Sequence, residues 1–145
     1  MRKILFLLGF MAFGIVGFGQ VGAKIEFTAK DNTIDYGPIS KDSDSGIRSF
    51  VFKNTGDAPL IITNVQSTCG CTVPTKPKGP ILPGQTDKID VKYNMNPGPI
   101  RKTITVESNA VNVTGGMIAL KIKGEVIVKQ EVNLLEKKKA VPNQY

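Results

Sequence analysis

The chain of 145 residues has no histidine and no tryptophan, two cysteines and three tyrosines. Without histidine there is no Ser-His-Asp or Cys-His relay, and the commonest neutral metal ligand is missing. A closed zinc site would have to draw on carboxylates or on a second chain. The Asp and Glu residues show no spacing that pairs two of them for hydrolysis. This inventory points away from an enzyme, and no cofactor is expected. Internal repeats and low-complexity segments are absent as well.

The first residues read as a sorting signal. Arg2 and Lys3 form a positive start, an apolar stretch runs from Ile4 to Val16, and Val21-Gly22-Ala23 supplies small residues ahead of Lys24. That pattern predicts a signal peptide over residues 1–23. The chain turns polar afterwards with no stop-transfer pattern, so no stable membrane span is expected after cleavage. No cysteine sits just after the cut, which argues against a lipid anchor. The protein is therefore expected to be exported, periplasmic or secreted. Residues 24–130 are then long enough for one ordinary domain. Residues 131–145 read as a polar basic tail containing Lys137-Lys138-Lys139, with at most two helical turns between Glu131 and Lys139.

The formal net charge is +7, from 19 basic and 12 acidic residues. On a small exported domain that favours solubility. The lysines are scattered rather than gathered on one element, so no nucleic-acid partner is expected.

From Lys24 onward the dominant period is two. Ile89, Val91 and Tyr93 alternate with Lys88, Asp90 and Lys92, and Ile100, Ile104 and Val106 face away from Arg101, Thr103 and Thr105. Ile118, Leu120 and Ile122 alternate with Ala119, Lys121 and Lys123, and the face continues through Gly124 to Val126 and Val128. Phe50 with Phe52, and Leu60 to Val65, mark two further strands; Ile25 with Phe27 and Ile34 with Tyr36 are weaker. Turn residues fall between these runs, at Asn54 to Pro59, Asn96-Pro97-Gly98-Pro99 and Thr114-Gly115-Gly116. Pro83-Gly84 carries the residues of a type II turn. About seven short strands spaced by such turns predict an all-β protein, an antiparallel β-sandwich.

Several of these motifs in this order carry a resemblance. Asn54-Thr55-Gly56-Asp57-Ala58-Pro59-Leu60 is followed by Ser67-Thr68-Cys69-Gly70-Cys71-Thr72-Val73-Pro74 and by Pro83-Gly84-Gln85 before Ile89 to Tyr93. Pro97-Gly98, Lys102-Thr103-Ile104, Ser108-Asn109 and Leu120 to Val126 extend it, so that it spans roughly residues 36–128. The chain resembles a bacterial family of exported domains of unknown function, number fifteen-seventy-three. The resemblance implies an immunoglobulin-like sandwich akin to major-sperm-protein and Hydin-type domains, from Bacteroidetes-like bacteria. It implies no reaction, and it places Cys69-Gly70-Cys71 in the shared scaffold.

Those two cysteines are the one place where special chemistry could sit. In an extended strand their Cα atoms would be about 6.6 Å apart, as would their Cβ atoms, whereas a disulfide needs Cβ atoms near ~3.8 Å. A kink at Gly70 would be required. A bond closing about three residues stabilises by only about 1.6 kcal/mol in the loop-entropy picture, and strain would make it labile. A thiol redox couple is one reading, although no helix start is expected beside Thr72-Val73-Pro74 to acidify a thiol. A soft metal such as Cu(I) is another, with Met95 and Met117 as the methionines available to help. Simple packing at the end of a strand, oxidised or not, is the third. Asp42-Ser43-Asp44-Ser45-Gly46 hints at a calcium loop, but Gly46 and Lys53 stand where ligands five and twelve should be. Asn112-Val113-Thr114 matches a glycosylation pattern without bacterial meaning.

The sequence thus leads to an exported, non-catalytic module whose partner is an unidentified envelope protein or surface component. The competing expectation is a small periplasmic thiol redox or copper-binding protein built on Cys69 and Cys71.

Overall fold

The alternation of apolar and polar residues becomes eight strands: β1 (Ile25–Phe27), β2 (Thr33–Ile39), β3 (Ile47–Asn54), β4 (Ile62–Ser67), β5 (Thr72–Thr75), β6 (Thr86–Tyr93), β7 (Gly98–Ser108) and β8 (Met117–Val126). The computed structural model describes Gly19 and residues 21–129. Most of the expected signal peptide and the whole of the tail 131–145 lie outside the described residues. Only two 3-10 turns, Lys30–Asn32 and Thr114–Gly116, interrupt the strands among those described.

The strands form two four-stranded sheets, β1-β3-β6-β5 and β2-β8-β7-β4. Phe50, Phe52, Ile89 and Val91 from the first sheet are fully buried against Ile100, Ile104, Val106, Leu120 and Ile122 from the second. Each such side chain contributes about 1.5–3 kcal/mol by leaving water, so the inner faces hold the sandwich together. This is the immunoglobulin-like architecture expected from the sequence, with two differences. An eighth strand, β5, pairs with β6 from Thr72↔Tyr93 to Thr75↔Asp90. In addition β2 runs parallel to β8, from Thr33↔Lys121 to Ile39↔Val126. Parallel neighbours need a long connection, and here almost the whole domain lies between the two strands.

Turn chemistry acts where it was read. Gly84 has φ 79°, and the Gln85 N–H donates to the Leu82 carbonyl at 3.0 Å, closing a turn with Pro83 and Gly84 at its centre. The loop after β3 is held by Asn54, which is fully buried. Its carboxamide donates to the carbonyls of Ala58 and Ile81, both at 2.8 Å, and accepts from the N–H of Gly56 at 3.0 Å and of Lys24 at 3.3 Å. Gly56 has no room for a side chain, because a Cβ there would run into the backbone of Gly22, Ala23 and Lys24.

Candidate functional site

Cys69 and Cys71 lie in the turn that carries the chain from β4, at the edge of one sheet, to β5, at the edge of the other. The Thr72 N–H donates to the Cys69 carbonyl at 3.4 Å, which bends residues 69–72 back on themselves. This brings the two Cα atoms to 5.3 Å, and the sulfurs are joined in a disulfide. The turn is pinned at both ends. The Thr68 N–H donates to the Thr103 carbonyl of β7 at 3.1 Å, and the Asn94 N–H after β6 donates to the Cys71 carbonyl at 3.0 Å. The kink required of Gly70 is thus made by a turn with an ordinary negative φ, since Gly70 is absent from the left-handed glycines. A Cβ added there would meet nothing within 4 Å.

The surroundings of the bond carry little chemistry. Cys71 packs against the core and both cysteines are half-buried. The Thr72 hydroxyl lies 3.9 Å from Cys71 Sγ and is the donor, because a bonded sulfur carries no proton. Bonded in this way, neither sulfur offers a thiolate to a soft metal. Of the two candidate methionines, Met95 is buried and turned toward Gly46, and Met117 pairs with Glu107, well along β7 from Thr103. Among the described residues, no three His, Cys, Asp or Glu side chains come together to hold a metal ion.

The loop that hinted at calcium has another employment. Arg48 grips Asp44 through both terminal nitrogens, at 2.7 and 3.1 Å, and stacks 4.2 Å above the Tyr36 ring. Asp44 also accepts from the Gly46 N–H at 2.8 Å. These donors, Arg48 first, hold the Asp44 carboxyl below its usual range. The Tyr36 hydroxyl, on β2, donates to the Gly46 carbonyl at 3.0 Å, tying the two sheets together. Burial raises the Tyr36 phenol to about 12.

One surface feature was not found by sequence reasoning. The outer face of the second sheet forms a shallow cleft of about 740 Å³, lined in part by Lys30, Asp35, Arg101, Lys121 and Lys123. Arg101 stands directly opposite Lys123, and Thr103 opposite Lys121. Lys123 is partly neutralised by Asp35 at 3.3 Å. The alternation marks these residues as outward-facing, but the parallel β2 register that brings Asp35 and the Lys30 turn beside them leaves no trace in local pattern.

A family model described as a protein of unknown function, DUF1573, matches residues 27–126. The chain belongs to that family. No curated protein matches it. Among solved structures, this DUF1573 chain is similar to a protein of unknown function from Porphyromonas gingivalis W83, with a TM-score of 0.60 and 16% identity over 71% of this chain and 46% of that one. It thus spans less than half of that relative. It is also similar to the ASH/PapD-like domain 7 of human CEP192, with a TM-score of 0.55 and 11% identity over 74% of this chain and 87% of that one. The YadV chaperone follows, with a TM-score of 0.53 and 12% identity over 74% of this chain and 54% of that one. At these identities the likeness is one of fold. No helix among the described residues is long and apolar enough to cross a membrane.

Proposed function

We propose that this DUF1573 protein is an exported, non-catalytic module of the cell envelope that works by adding an extended segment of a partner protein to the edge of its second sheet. The observation that carries this reading is the state of the four sheet edges. β1 has three residues, β5 has four and contains Pro74, and β2 contains Pro38 and a register shift after Asp35. Short strands, prolines and bulges are the usual guards against unwanted strand pairing. β4, with the sequence ITNVQS, has no proline and no charged residue. Its register shifts once, between Ile62 and Asn64, and then runs evenly to Ser67. Exposed Ile61 precedes it and exposed Val73 sits on neighbouring β5, offering apolar contacts to an incoming strand. The fold shared with a chaperone agrees with this reading, as do the missing histidine and the apolar N-terminal stretch.

The test places a photo-crosslinking residue at Gln66 in the full chain, expressed in its native envelope. A discrete protein adduct is expected, and Asn64→Lys should remove it while leaving thermal stability unchanged, because a lysine on the edge blocks pairing and not folding. An adduct insensitive to Asn64→Lys, or none at all, would count against the reading. The competing reading, a thiol redox or copper carrier on Cys69 and Cys71, has the small disulfide in its favour. It lacks a helix start that would stabilise a thiolate, since the described residues contain no helix beyond the two 3-10 turns.

A further inference from the structure

Residues 22–24, where the sequence places the end of a leader, are built into the domain. Ala23 is 2% exposed and belongs to the hydrophobic core. The Gly22 N–H donates to Asp57 Oδ1 at 2.6 Å, and the Asp57 N–H returns to the Gly22 carbonyl at 3.1 Å. The Thr55 N–H donates to the Lys24 carbonyl at 3.0 Å, and the Val111 N–H donates to that of Ala23 at 2.9 Å. Asn54 accepts from the Lys24 N–H, and Gly56 leaves space for this backbone to pass. One step further on, the Asn112 carboxamide accepts from the Ile25 N–H at 3.0 Å and donates to its carbonyl at 2.9 Å. The whole of Asn54-Thr55-Gly56-Asp57 is therefore a socket for residues 22–24.

A cut after Ala23 would remove half of what the socket holds. The N–H groups of Asp57 and Val111 would lose their acceptors, the core would lose Ala23, and a new ammonium would form on Lys24 beside buried Asn54. Val21, by contrast, is 81% exposed, so a chain that begins just ahead of it has a solvated end. The pattern a signal peptidase reads, small residues at the last and third-last positions of the leader, occurs a second time. Gly17-Phe18-Gly19 is such a triplet, directly ahead of Gln20, the first polar residue after Lys3.

We propose that the leader is removed between Gly19 and Gln20, so that the mature protein starts at Gln20 and keeps Gly22 and Ala23 in their socket. In this hydrolysis one water is consumed, the Gly19–Gln20 amide bond breaks, Gly19 leaves as a carboxylate and Gln20 retains the amine. The proposal rests on the reading of the N-terminus as an export signal, and one measurement separates the two. The full precursor is expressed with its own leader in a Gram-negative host, and the intact mass of the exported protein is determined. A mass corresponding to residues 20–145 is expected. A mass corresponding to residues 24–145 would overturn the proposal and leave the export reading standing, while an uncut chain would overturn both. Two precursor variants make the assignment independent of folding, because processing is read and not stability. Gly19→Leu should abolish the mature form and Ala23→Leu should leave the cut in place; the reverse pattern would also overturn the proposal.

Discussion

The Asn54 carboxamide nitrogen sits 2.8 Å from the carbonyl of Ile81, twenty-seven positions further along the chain, inside a fully buried pocket. This one side chain completes the loop after β3, the bridge between Leu60 and Ile81 and the start of β1. Replacing it by Leu keeps the branched outline but leaves the N–H groups of Gly56 and Lys24 and the carbonyl of Ala58 without their partner. Burying such groups unpaired costs about 1–3 kcal/mol each where water cannot reach them. Asn54→Leu is expected to lower stability by about 2–4 kcal/mol. A urea unfolding series on the folded domain checks this, and a midpoint within error of the wild type would contradict it.

The same residue marks the limit of what the sequence discloses. Ile89, Val91 and Tyr93, or Ile118, Leu120 and Ile122, are legible because a sheet buried on one face must alternate. Nothing local marks Thr72 to Thr75 as a strand, with Pro74 inside it; pairing with Tyr93 to Asp90 makes it one. Strand direction is equally silent in an alternating pattern, so the parallel β2–β8 pair could not be read. Asn54-Thr55-Gly56-Asp57 is recognisable as a turn, yet its partner, residues 22–24, begins with the small Gly22 and Ala23, which equally suit a cleavage site. For the cysteines, the strand geometry rightly excludes a bridge in extended backbone, and only the crossover between sheets supplies the turn that permits one.

Tyr36 links stability to high pH. Its phenol is raised to about 12, chiefly by burial, from an ordinary value of 10.0. The neutral form is the one the fold favours, so this contribution is complete below pH 10 and disappears as pH rises from 10 toward 12. The loss is at most about 1.4 kcal/mol per pH unit in that window. Tyr36→Phe removes the hydrogen bond to Gly46 and should cost about 1 kcal/mol at neutral pH, but its stability should fall less steeply above pH 10. Chemical denaturation of both proteins between pH 9 and 12 measures the difference, and parallel curves would refute it.

Asp44 gives the opposite dependence. Its carboxyl lies below 3.8 because Arg48 and the Gly46 N–H hold the charged form. That contribution is present above the ordinary carboxylate value and is lost as pH falls through the depressed one. The pair is partly exposed, with side chains 28% and 18% accessible, so it is worth about 1 kcal/mol. Asp44→Asn should therefore cost about 1 kcal/mol at pH 7 and less at pH 2. Thermal melts at the two pH values decide it: an equal deficit at both would show that packing, and not charge, is responsible.

The disulfide and its glycine separate two roles that the spacing of residues 69 to 71 leaves joined. The turn is held by backbone bonds from Thr72, Thr68 and Asn94, none of which needs the sulfurs. Cutting the bond by Cys69→Ser with Cys71→Ser removes a closed loop of about three residues, and the expected cost is only about 1–2 kcal/mol. The double variant should thus fold with the same sheet register. Gly70→Ala goes further, because the position has an ordinary φ and open space around it. Alanine there restricts the unfolded chain without disturbing the folded one, so stability should be unchanged or rise by up to about 1 kcal/mol. Hydrogen exchange at Thr72 and Asn94 reports whether the turn survives in each variant. If exchange at both amides rises to the unfolded rate when the sulfurs are removed, the bond makes the turn; if protection persists, the crossover between the sheets makes it and the bond only locks it.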